Sequence, residues 1–161
     1  MEWDYEFDVV VVGSGNGALT AALCSHDGGA KTLVIEKSSQ FGGTSATSGG
    51  GVWIPNNRYA KAENVDDSDQ DARNYINSVS PEGMIKDELI ETYISEGPRM
   101  IDYLHENSQV KYRNLAHYPD YFPDNTGGKE GNRSMEPEPI FGTELGDDLG
   151  KLREQHPQTA F

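Results

Sequence analysis

The stretch Phe7-Asp-Val-Val-Val-Val-Gly13-Ser-Gly15-Asn-Gly17-Ala18 decides the fold of this chain. Val9 to Val12 form a run of β-branched residues, which predicts a parallel strand buried on both faces. Gly13 permits a tight turn after the strand, Gly15 lets the backbone approach a ligand closely, and the small Ala18 lets a helix pack against the strand. Good helix formers follow. The stretch therefore predicts a strand, a turn and a helix in succession.

The segment Thr32-Leu-Val-Ile-Glu36 predicts a second strand that ends in an acidic residue. The free N–H groups and the dipole at the start of the intervening helix favour a diphosphate. A carboxylate about twenty residues beyond the glycines binds the ribose of an adenosine, so Glu36 is the predicted ribose acceptor. A Gly-rich turn alone is weak support, since glycine also serves ordinary turns. With a strand before it, a helix after it and the acid at this distance, residues 7–37 predict a Rossmann-like dinucleotide-binding βαβ unit, for NAD or for FAD.

The loop that follows, residues 41–55, distinguishes the two cofactors. The run from Gly42 to Gly51 consists of glycine and small residues, which suits neither a core helix nor a strand. Its hydroxyl and amide groups could follow the ribityl chain and phosphates of a flavin, whereas a flexible linker is the alternative for such a composition. The apolar ends, Phe41 and Val52-Trp53-Ile54-Pro55, would anchor the loop and favour FAD. The predicted cofactor-binding residues are Gly13, Ser14, Gly15, Gly17, Ala18, Glu36, Lys37, Gly43, Thr44, Ser45, Ser48, Gly49 and Gly50.

These motifs resemble a known family. Glu36-Lys37, Phe41-Gly-Gly-Thr-Ser-Ala46 and Ser48-Gly-Gly-Gly-Val-Trp-Ile-Pro55, with the dinucleotide turn, are similar to the N-terminal part of the fumarate reductase and succinate dehydrogenase type of flavoproteins. Within that group they most resemble the 3-ketosteroid Δ1-dehydrogenases. Two later segments strengthen the resemblance: His117-Tyr-Pro-Asp-Tyr121-Phe-Pro123, and Gly127 to Pro137 with its Arg133-Ser134 pair. The resemblance covers nearly the whole chain.

The resemblance implies that Tyr121 is a catalytic residue. In the family, the tyrosine of the Pro-Asp-Tyr segment faces the flavin and the substrate and is hydrogen-bonded to another tyrosine, which abstracts a proton next to the steroid ketone. A hydride then passes to the flavin N5, and a Δ1 double bond is formed. The resemblance thus implies a FAD-dependent 3-ketosteroid Δ1-dehydrogenase with a steroid substrate and an external electron acceptor. An aromatic that only packs in a loop is the alternative for Tyr121. Phe122 stands where some relatives have a second tyrosine, which bears on substrate preference.

Family members are several times longer, and a substrate-covering domain and the completing C-terminal part of their fold have no counterpart in this sequence. We therefore expect an α/β fold that is incomplete, with only the N-terminal portion of the FAD-binding domain. Two parallel strands cannot cover their own faces or edges, so the chain is expected to be a fragment or one subunit of a split enzyme with a second polypeptide. Two other hypotheses remain: a fumarate reductase-like flavoprotein that reduces an activated C=C bond, and a truncated FAD-binding module that is inactive alone.

Beyond residue 56 the chain is predicted to be mainly helix and loop. Residues 66–106 form a helical segment, in which Ser68 and Asp71 resemble a capping box and Pro98 is expected to kink or split the second helix. Residues 110–161 are predicted to be loop-rich, with a short strand near Tyr112. Arg133 is interpreted as a solvated turn residue, with a phosphate contact as the alternative.

Composition excludes several classes of function. Asp and Glu number 27 against 13 Lys and Arg, and the net charge of −14 argues against nucleic acid or an anionic membrane as a partner. The sequence has no apolar run of membrane-spanning length and no N-terminal signal pattern. The single Cys24, expected to be a small buried thiol, fits a reducing compartment, so a cytoplasmic location is expected. The four histidines do not have metal-ligand spacing, and no metal is predicted.

Overall fold

The computed structural model describes residues 3–155. The chain divides into two compact units: unit 1 runs up to Gly49 and resumes at Ile140, and unit 2 is Gly50–Pro139. The elements are β1 Val9–Val12, α1 Asn16–Asp27, β2 Thr32–Ile35, β3 Val52–Trp53, α2 Arg58–Ala62, α3 Asp69–Val79, α4 Asp87–Asn107, β4 Tyr112–Asn114 and β5 Ser134–Pro137, with 3₁₀ helices at Ser45–Thr47 and Gly142–Lys151. Unit 1 contains β1, α1, β2 and the two 3₁₀ helices, and unit 2 contains the other elements.

Unit 1 is built on the predicted βαβ unit. Strands β1 and β2 are parallel, with Val9 opposite Thr32 and Val12 opposite Ile35. The Gly13 N–H extends the ladder by donating to the Ile35 carbonyl at 2.7 Å. Helix α1 packs against both strands. The Rossmann-like α/β class predicted from the sequence is confirmed.

The predicted burial of β1 on both faces is wrong for the described residues. Val9 and Val11 are half-buried, whereas Val10 is 51% and Val12 79% exposed. Side chains alternate between the two faces of a strand, and α1 covers only one face. Within residues 3–155 the second face lacks the layer that a parallel sheet requires. The same shortage leaves α1 without a buried residue, and Cys24, predicted to be buried, is exposed.

The cofactor loop of unit 1 is fixed by a segment from far along the chain. The Phe41 N–H donates to the Lys151 carbonyl, and the Arg153 N–H donates to the Phe41 carbonyl, both at 2.9 Å. The two segments thereby form a parallel bridge between Phe41 and Leu152. The last part of the predicted loop-rich segment, residues 156–161 with His156, lies outside the described residues.

Unit 2 contains a three-stranded antiparallel sheet with β5 in the centre, between β3 and β4. Val52 pairs with Met135, and Asn114 pairs with Met135 from the other side. In this unit the sequence predicts a strand only near Tyr112, because β3 has two residues and β5 contains no β-branched or aromatic residue and ends in proline. The central β5 ends in Pro137, which pairs with Tyr112 of β4.

Helix α4 covers this sheet and completes the core of unit 2. Ile54, Ile101 and Met135 form one buried cluster, and Ala72, Ile90 and Ile94 form a second one between α3 and α4. Gly97 lets α4 pack closely on Ile54, because a Cβ atom there would lie 3.3 Å from Ile54 Cδ1.

Two local predictions for the helices have different outcomes. Ser68 caps α3 as predicted, since its Oγ accepts from the Asp71 N–H at 3.1 Å. The Asp71 carboxylate does not complete a capping box but pairs with Lys129 Nζ at 2.9 Å. Helix α4 is not split at Pro98, which lies inside one continuous helix.

Candidate functional site

The Gly-rich turn of unit 1 places the start of α1 beside open space. Gly13 has φ +100°, and Gly15 is the N-cap residue of α1 with no side-chain capping hydrogen bond. A Cβ atom added at Gly13 or Gly17 would meet no atom within 4 Å. The first N–H groups of a helix have no acceptor within the helix. The turn therefore offers hydrogen-bond donors and the positive end of the helix dipole to an anionic ligand.

Glu36 lies at the end of β2 and is bound from two sides. The buried Ser14 donates its hydroxyl hydrogen to Glu36 Oε2 at 2.6 Å, and the Ser38 N–H donates to Oε1 at 3.0 Å. These hydrogen bonds, the one from Ser14 foremost, lower the pKa of Glu36 below its ordinary value. Glu36 is therefore ionised at neutral pH, and a carboxylate with one hydrogen bond on each oxygen can accept further ones. This is the acceptor that a ribose hydroxyl needs.

Ser14 connects the turn, the acid and the second loop. Its hydroxyl accepts from the Gly42 N–H at 2.9 Å while it donates to Glu36. Ser14 is among the cofactor-binding residues that the motif predicts. Its contacts with residues 22 and 28 positions further along the chain were not foreseen.

The second loop packs directly on the turn. Ser45 Oγ accepts from the Asn16 N–H at 3.0 Å, and a Cβ atom at Gly43 would lie 3.7 Å from Gly15 Cα. Thr44, Ser48, Gly49 and Lys37 are exposed, and Ala18 is half-buried on α1. Gly50 belongs to unit 2, where its φ is +75° and an added Cβ atom would lie 2.8 Å from Pro137 Cγ. The structure thus brings the turn, Glu36 and residues 43–45 together in unit 1.

Tyr121 lies in unit 2 at the rim of an aromatic cavity. The cavity has a volume of ~190 Å³ and is lined by Trp53, Tyr75, Tyr118, Pro119, Asp120, Tyr121 and Ser134. The Tyr121 side chain is 82% exposed, and Phe122 next to it is also exposed. The catalytic role of Tyr121 stays a prediction.

Asp120 immediately precedes Tyr121 and is buried. Its Oδ1 accepts from Trp53 Nε1 at 2.6 Å, and its Oδ2 accepts from Arg133 Nη1 at 2.8 Å and from the Lys129 N–H at 3.0 Å. The same two segments are joined a second time, because the Asp120 N–H donates to the Lys129 carbonyl at 2.9 Å. The loop that carries Tyr121 is therefore anchored by the residue before it.

The interpretation of Arg133 as a solvated turn residue is wrong, since the residue is only 1% exposed. It binds Asp67 with two hydrogen bonds, from Nε at 3.0 Å and from Nη2 at 2.7 Å. Its guanidinium also lies 5.4 Å from the ring centre of Trp53 and 5.7 Å from that of Tyr75. Burial disfavours the charge, but the hydrogen bonds and charges of Asp67 and Asp120 outweigh burial and raise the pKa of Arg133.

Comparison with known families identifies the kind of domain that has these features. Residues 8–160 match the family model of the FAD binding domain. The chain belongs to this family. Its cofactor is FAD, and the geometry of unit 1 is compatible with the ADP half of that cofactor. Open space lies beside Gly13 and Gly17 at the positive end of α1, and the ionised Glu36 can accept a further hydrogen bond.

Relatives of this FAD binding domain include dehydrogenases of cyclic ketones. The chain is 42% identical over 147 residues to the 3-oxosteroid 1-dehydrogenase of Mycolicibacterium smegmatis, a match that covers 91% of this chain and 26% of that protein. It is 38% identical over 149 residues to the 4-oxocyclohexanecarboxylate 2-dehydrogenase of Sinomonas cyclohexanicum, covering 92% of this chain and 25% of that protein. These matches confirm the resemblance found in the motifs, and the chain spans about a quarter of each relative's length.

A solved structure supports the same relationship. The 3-ketosteroid Δ1-dehydrogenase of Sterolibacterium denitrificans, determined in complex with 1,4-androstadiene-3,17-dione, superimposes with a TM-score of 0.88 at 40% sequence identity. The match covers 95% of this chain and 27% of that one. The expectation of an incomplete fold is thereby confirmed.

Within residues 3–155 no group of three or more His, Cys, Asp or Glu residues is arranged to hold a metal ion. The same residues include no helix that combines the length and the apolar character needed to cross a bilayer.

Proposed function

We propose that this chain is the FAD-binding part of a 3-ketosteroid Δ1-dehydrogenase, an oxidoreductase that introduces a double bond beside the ketone of a steroid ring. The observation that carries the proposal is the similarity of 95% of the chain to the steroid-bound dehydrogenase of Sterolibacterium denitrificans. The aromatic cavity beside Tyr121 supports the proposal, because flat apolar rings bind in cavities of this lining.

Unit 1 would hold the cofactor. The amides at the start of α1 and Gly15 would bind the diphosphate, and Glu36 would accept a hydrogen bond from the adenosine ribose. Thr44, Ser45, Ser48 and Gly49 would line the remainder of the cofactor. Bound FAD supplies the acceptor for the hydride that leaves the substrate.

Tyr121 would assist the removal of a proton from the carbon next to the steroid ketone. Its O–H can donate a hydrogen bond to the residue that abstracts this proton, and so stabilise the negative charge that the abstracting residue holds before the proton arrives. The abstracting tyrosine and the groups that bind the steroid carbonyl have no counterpart in this sequence. The 82% exposure of Tyr121 fits a side chain whose partners come from elsewhere in the enzyme.

The remaining part of the enzyme would be supplied by the same protein or by a second polypeptide. The exposed Val10 and Val12 mark a sheet face that lacks its covering layer. Of the alternatives, a truncated module without activity is not favoured, because the relatives that match over nine-tenths of the chain are named as dehydrogenases. An external electron acceptor completes the reaction. A cytoplasmic location stays a prediction, with which the single cysteine agrees.

A second substrate class follows from one of the comparisons. The relative from Sinomonas cyclohexanicum is named for 4-oxocyclohexanecarboxylate, a single-ring ketone. Dehydrogenation beside a ring ketone is common to both names, so the chemistry would be unchanged and only the size of the bound ring system would differ.

The test begins with native purification of the chain from its host, with mass spectrometry to identify any polypeptide that remains bound. The FAD-loaded assembly is then assayed for reduction of an artificial electron acceptor with androstenedione or with 4-oxocyclohexanecarboxylate. We expect turnover with the steroid, and we expect Tyr121→Phe to lower kcat by about 100-fold or more without loss of FAD. Tyr5→Phe, an equally exposed tyrosine of unit 1, is the matched control and should leave kcat unchanged. An FAD-loaded assembly that oxidises neither ketone would refute the proposal, and full activity of Tyr121→Phe would remove Tyr121 from the mechanism.

A further inference from the structure

Asp120 and Tyr121 are neighbours with opposite environments. Asp120 is buried, whereas the next side chain is exposed. A buried carboxylate is costly unless charged and hydrogen-bonding partners surround it. Asp120 has three donors, from Trp53, Arg133 and the Lys129 backbone. Replacement of such a buried ion pair by apolar residues is often neutral or stabilising, so stability alone does not explain why the charge is here.

The network fixes the backbone on both sides of Tyr121. On one side, Asp120 is joined to Lys129 by a pair of hydrogen bonds, one in each direction. On the other side, the Phe122 N–H donates to the Tyr75 hydroxyl at 3.3 Å. The turn between Phe122 and Lys129 is closely packed, because a Cβ atom at Gly128 would lie 2.3 Å from the Pro123 carbonyl oxygen. Tyr121 therefore has an exposed side chain on a backbone that is held before and after it.

Arg133 connects this loop to the start of α3. Besides Asp120 it binds Asp67, which accepts from the Asn56 N–H at 2.9 Å and precedes the N-cap residue Ser68. The guanidinium lies near the rings of Trp53 and Tyr75, which also line the cavity. Arg133 therefore contacts both the cavity wall and the loop that carries Tyr121.

We infer that Asp120, held by Arg133 and Trp53, is a positioning residue that sets the orientation of the Tyr121 phenol at the rim of the cavity. The inference rests on the proposed function, in which the Tyr121 hydroxyl must reach the residue that abstracts the proton. Catalytic groups act efficiently only in a narrow range of positions, and a displacement of about 1 Å can lower the rate by about 100-fold. A rigid network of buried charges holds such a group more closely than an exposed loop would.

The first experiment observes the position of Tyr121 directly and does not depend on activity. Fluorotyrosine is incorporated at position 121 of the whole chain, and its ¹⁹F NMR line is recorded in the unchanged protein and in Asp120→Asn. We expect one narrow line in the unchanged protein and a broadened or multiple line in Asp120→Asn. Asp67→Asn is the matched control, because it removes the other carboxylate of Arg133 but leaves the hydrogen bonds of Asp120 in place. Its line should stay narrow.

The second experiment measures steroid oxidation by the native FAD-loaded assembly. Asp120→Asn should lower kcat by about 10- to 100-fold per bound FAD with KM little changed, whereas Asp67→Asn should lower thermal stability and leave kcat per FAD near that of the unchanged protein. If Asp120→Asn fails to fold, Trp53→Phe removes one donor to Asp120 and should broaden the line to a smaller extent. A narrow line in Asp120→Asn, or in Trp53→Phe where that variant is used, overturns the inference. Absence of turnover in the unchanged assembly refutes the proposed function instead, and the ¹⁹F line still decides the positioning.

Discussion

Replacement of Arg133 by methionine should destabilise unit 2 severely. Methionine keeps an unbranched stem but removes the guanidinium and its charge, so Asp67 and Asp120 would remain buried without their common partner. Removal of one partner from a buried ion pair costs about 3–5 kcal/mol. The contacts of the guanidinium with Trp53 and Tyr75 are lost as well, so we expect a value in the upper part of that range.

Urea unfolding followed by tryptophan fluorescence measures this loss. The chain has two tryptophans, and Trp3→Phe leaves Trp53 of unit 2 as the only reporter. Since unfolding free energies of small domains fall by about 1–3 kcal/mol per M urea, the midpoint should move down by roughly 2 M. The matched control is Arg99→Met, whose ion pair with Glu96 lies on the surface of α4. Exposed pairs contribute about 1 kcal/mol at most, so the control should unfold near the unchanged midpoint.

A triple replacement separates the charge from the packing. Asp67→Asn and Asp120→Asn combined with Arg133→Met leave no buried charge in the network, and the midpoint should recover a large part of the loss. If the unfolding free energy of Arg133→Met lay within about 1 kcal/mol of that of the unchanged protein, the stabilising role of the ion pairs of Arg133 with Asp67 and Asp120 would be contradicted.

Two further predictions concern single side chains. Ser14→Ala removes the main cause of the lowered pKa of Glu36 and the acceptor for the Gly42 N–H, so FAD should bind about five- to tenfold more weakly at neutral pH in a fluorescence titration. Ser25→Ala, which loses only a hydrogen bond within α1, is the control, and equal affinities of the two variants for FAD would contradict the role of Ser14. The hydrogen bond from Lys129 is the main cause that lowers the pKa of Asp71 below 3.8. In acid the unfolded chain therefore binds more protons than the folded chain. The stabilisation of the fold by this pair is present above about pH 4 and is lost as the pH falls below it. Lys129→Met should therefore flatten the acid limb of a plot of unfolding free energy against pH, whereas an unchanged limb would argue against the pair.

The sequence predicted the βαβ unit because its determinants are local. The strand run, the turn glycines and Glu36 follow one another within residues 7–37, and short connections leave few topologies. The exposure of Val10 and Val12 was missed because the burial rule for parallel strands assumes a complete sheet. Strand β3 was missed because it has two residues, and β5 because it has no β-branched or aromatic residue and ends in proline.

The side-chain networks could not be read from the sequence. Arg133 meets Asp67 across 66 positions and Trp53 meets Asp120 across 67, and no spacing rule connects residues so far apart. The Gly- and Asn-rich composition around Arg133 indicated a turn, which is correct for the backbone, but it carries no information on the burial of one side chain. The resemblance to a family located Tyr121, whereas only the structure shows how Asp120 holds its loop.

The bridge between Phe41 and Leu152 has a consequence for how the protein is made. Unit 2 is continuous in sequence, whereas unit 1 takes its parts from both sides of it. A chain that emerges from the ribosome can therefore fold unit 2 before the loop at Phe41 has its pairing partner. Pairing at Phe41 must wait for the synthesis of Leu152. Contacts between residues so distant in sequence form slowly because of the entropy of loop closure. The turn that begins the cofactor site is translated first, yet the loop beside it acquires these backbone hydrogen bonds only after Arg153 has been synthesised.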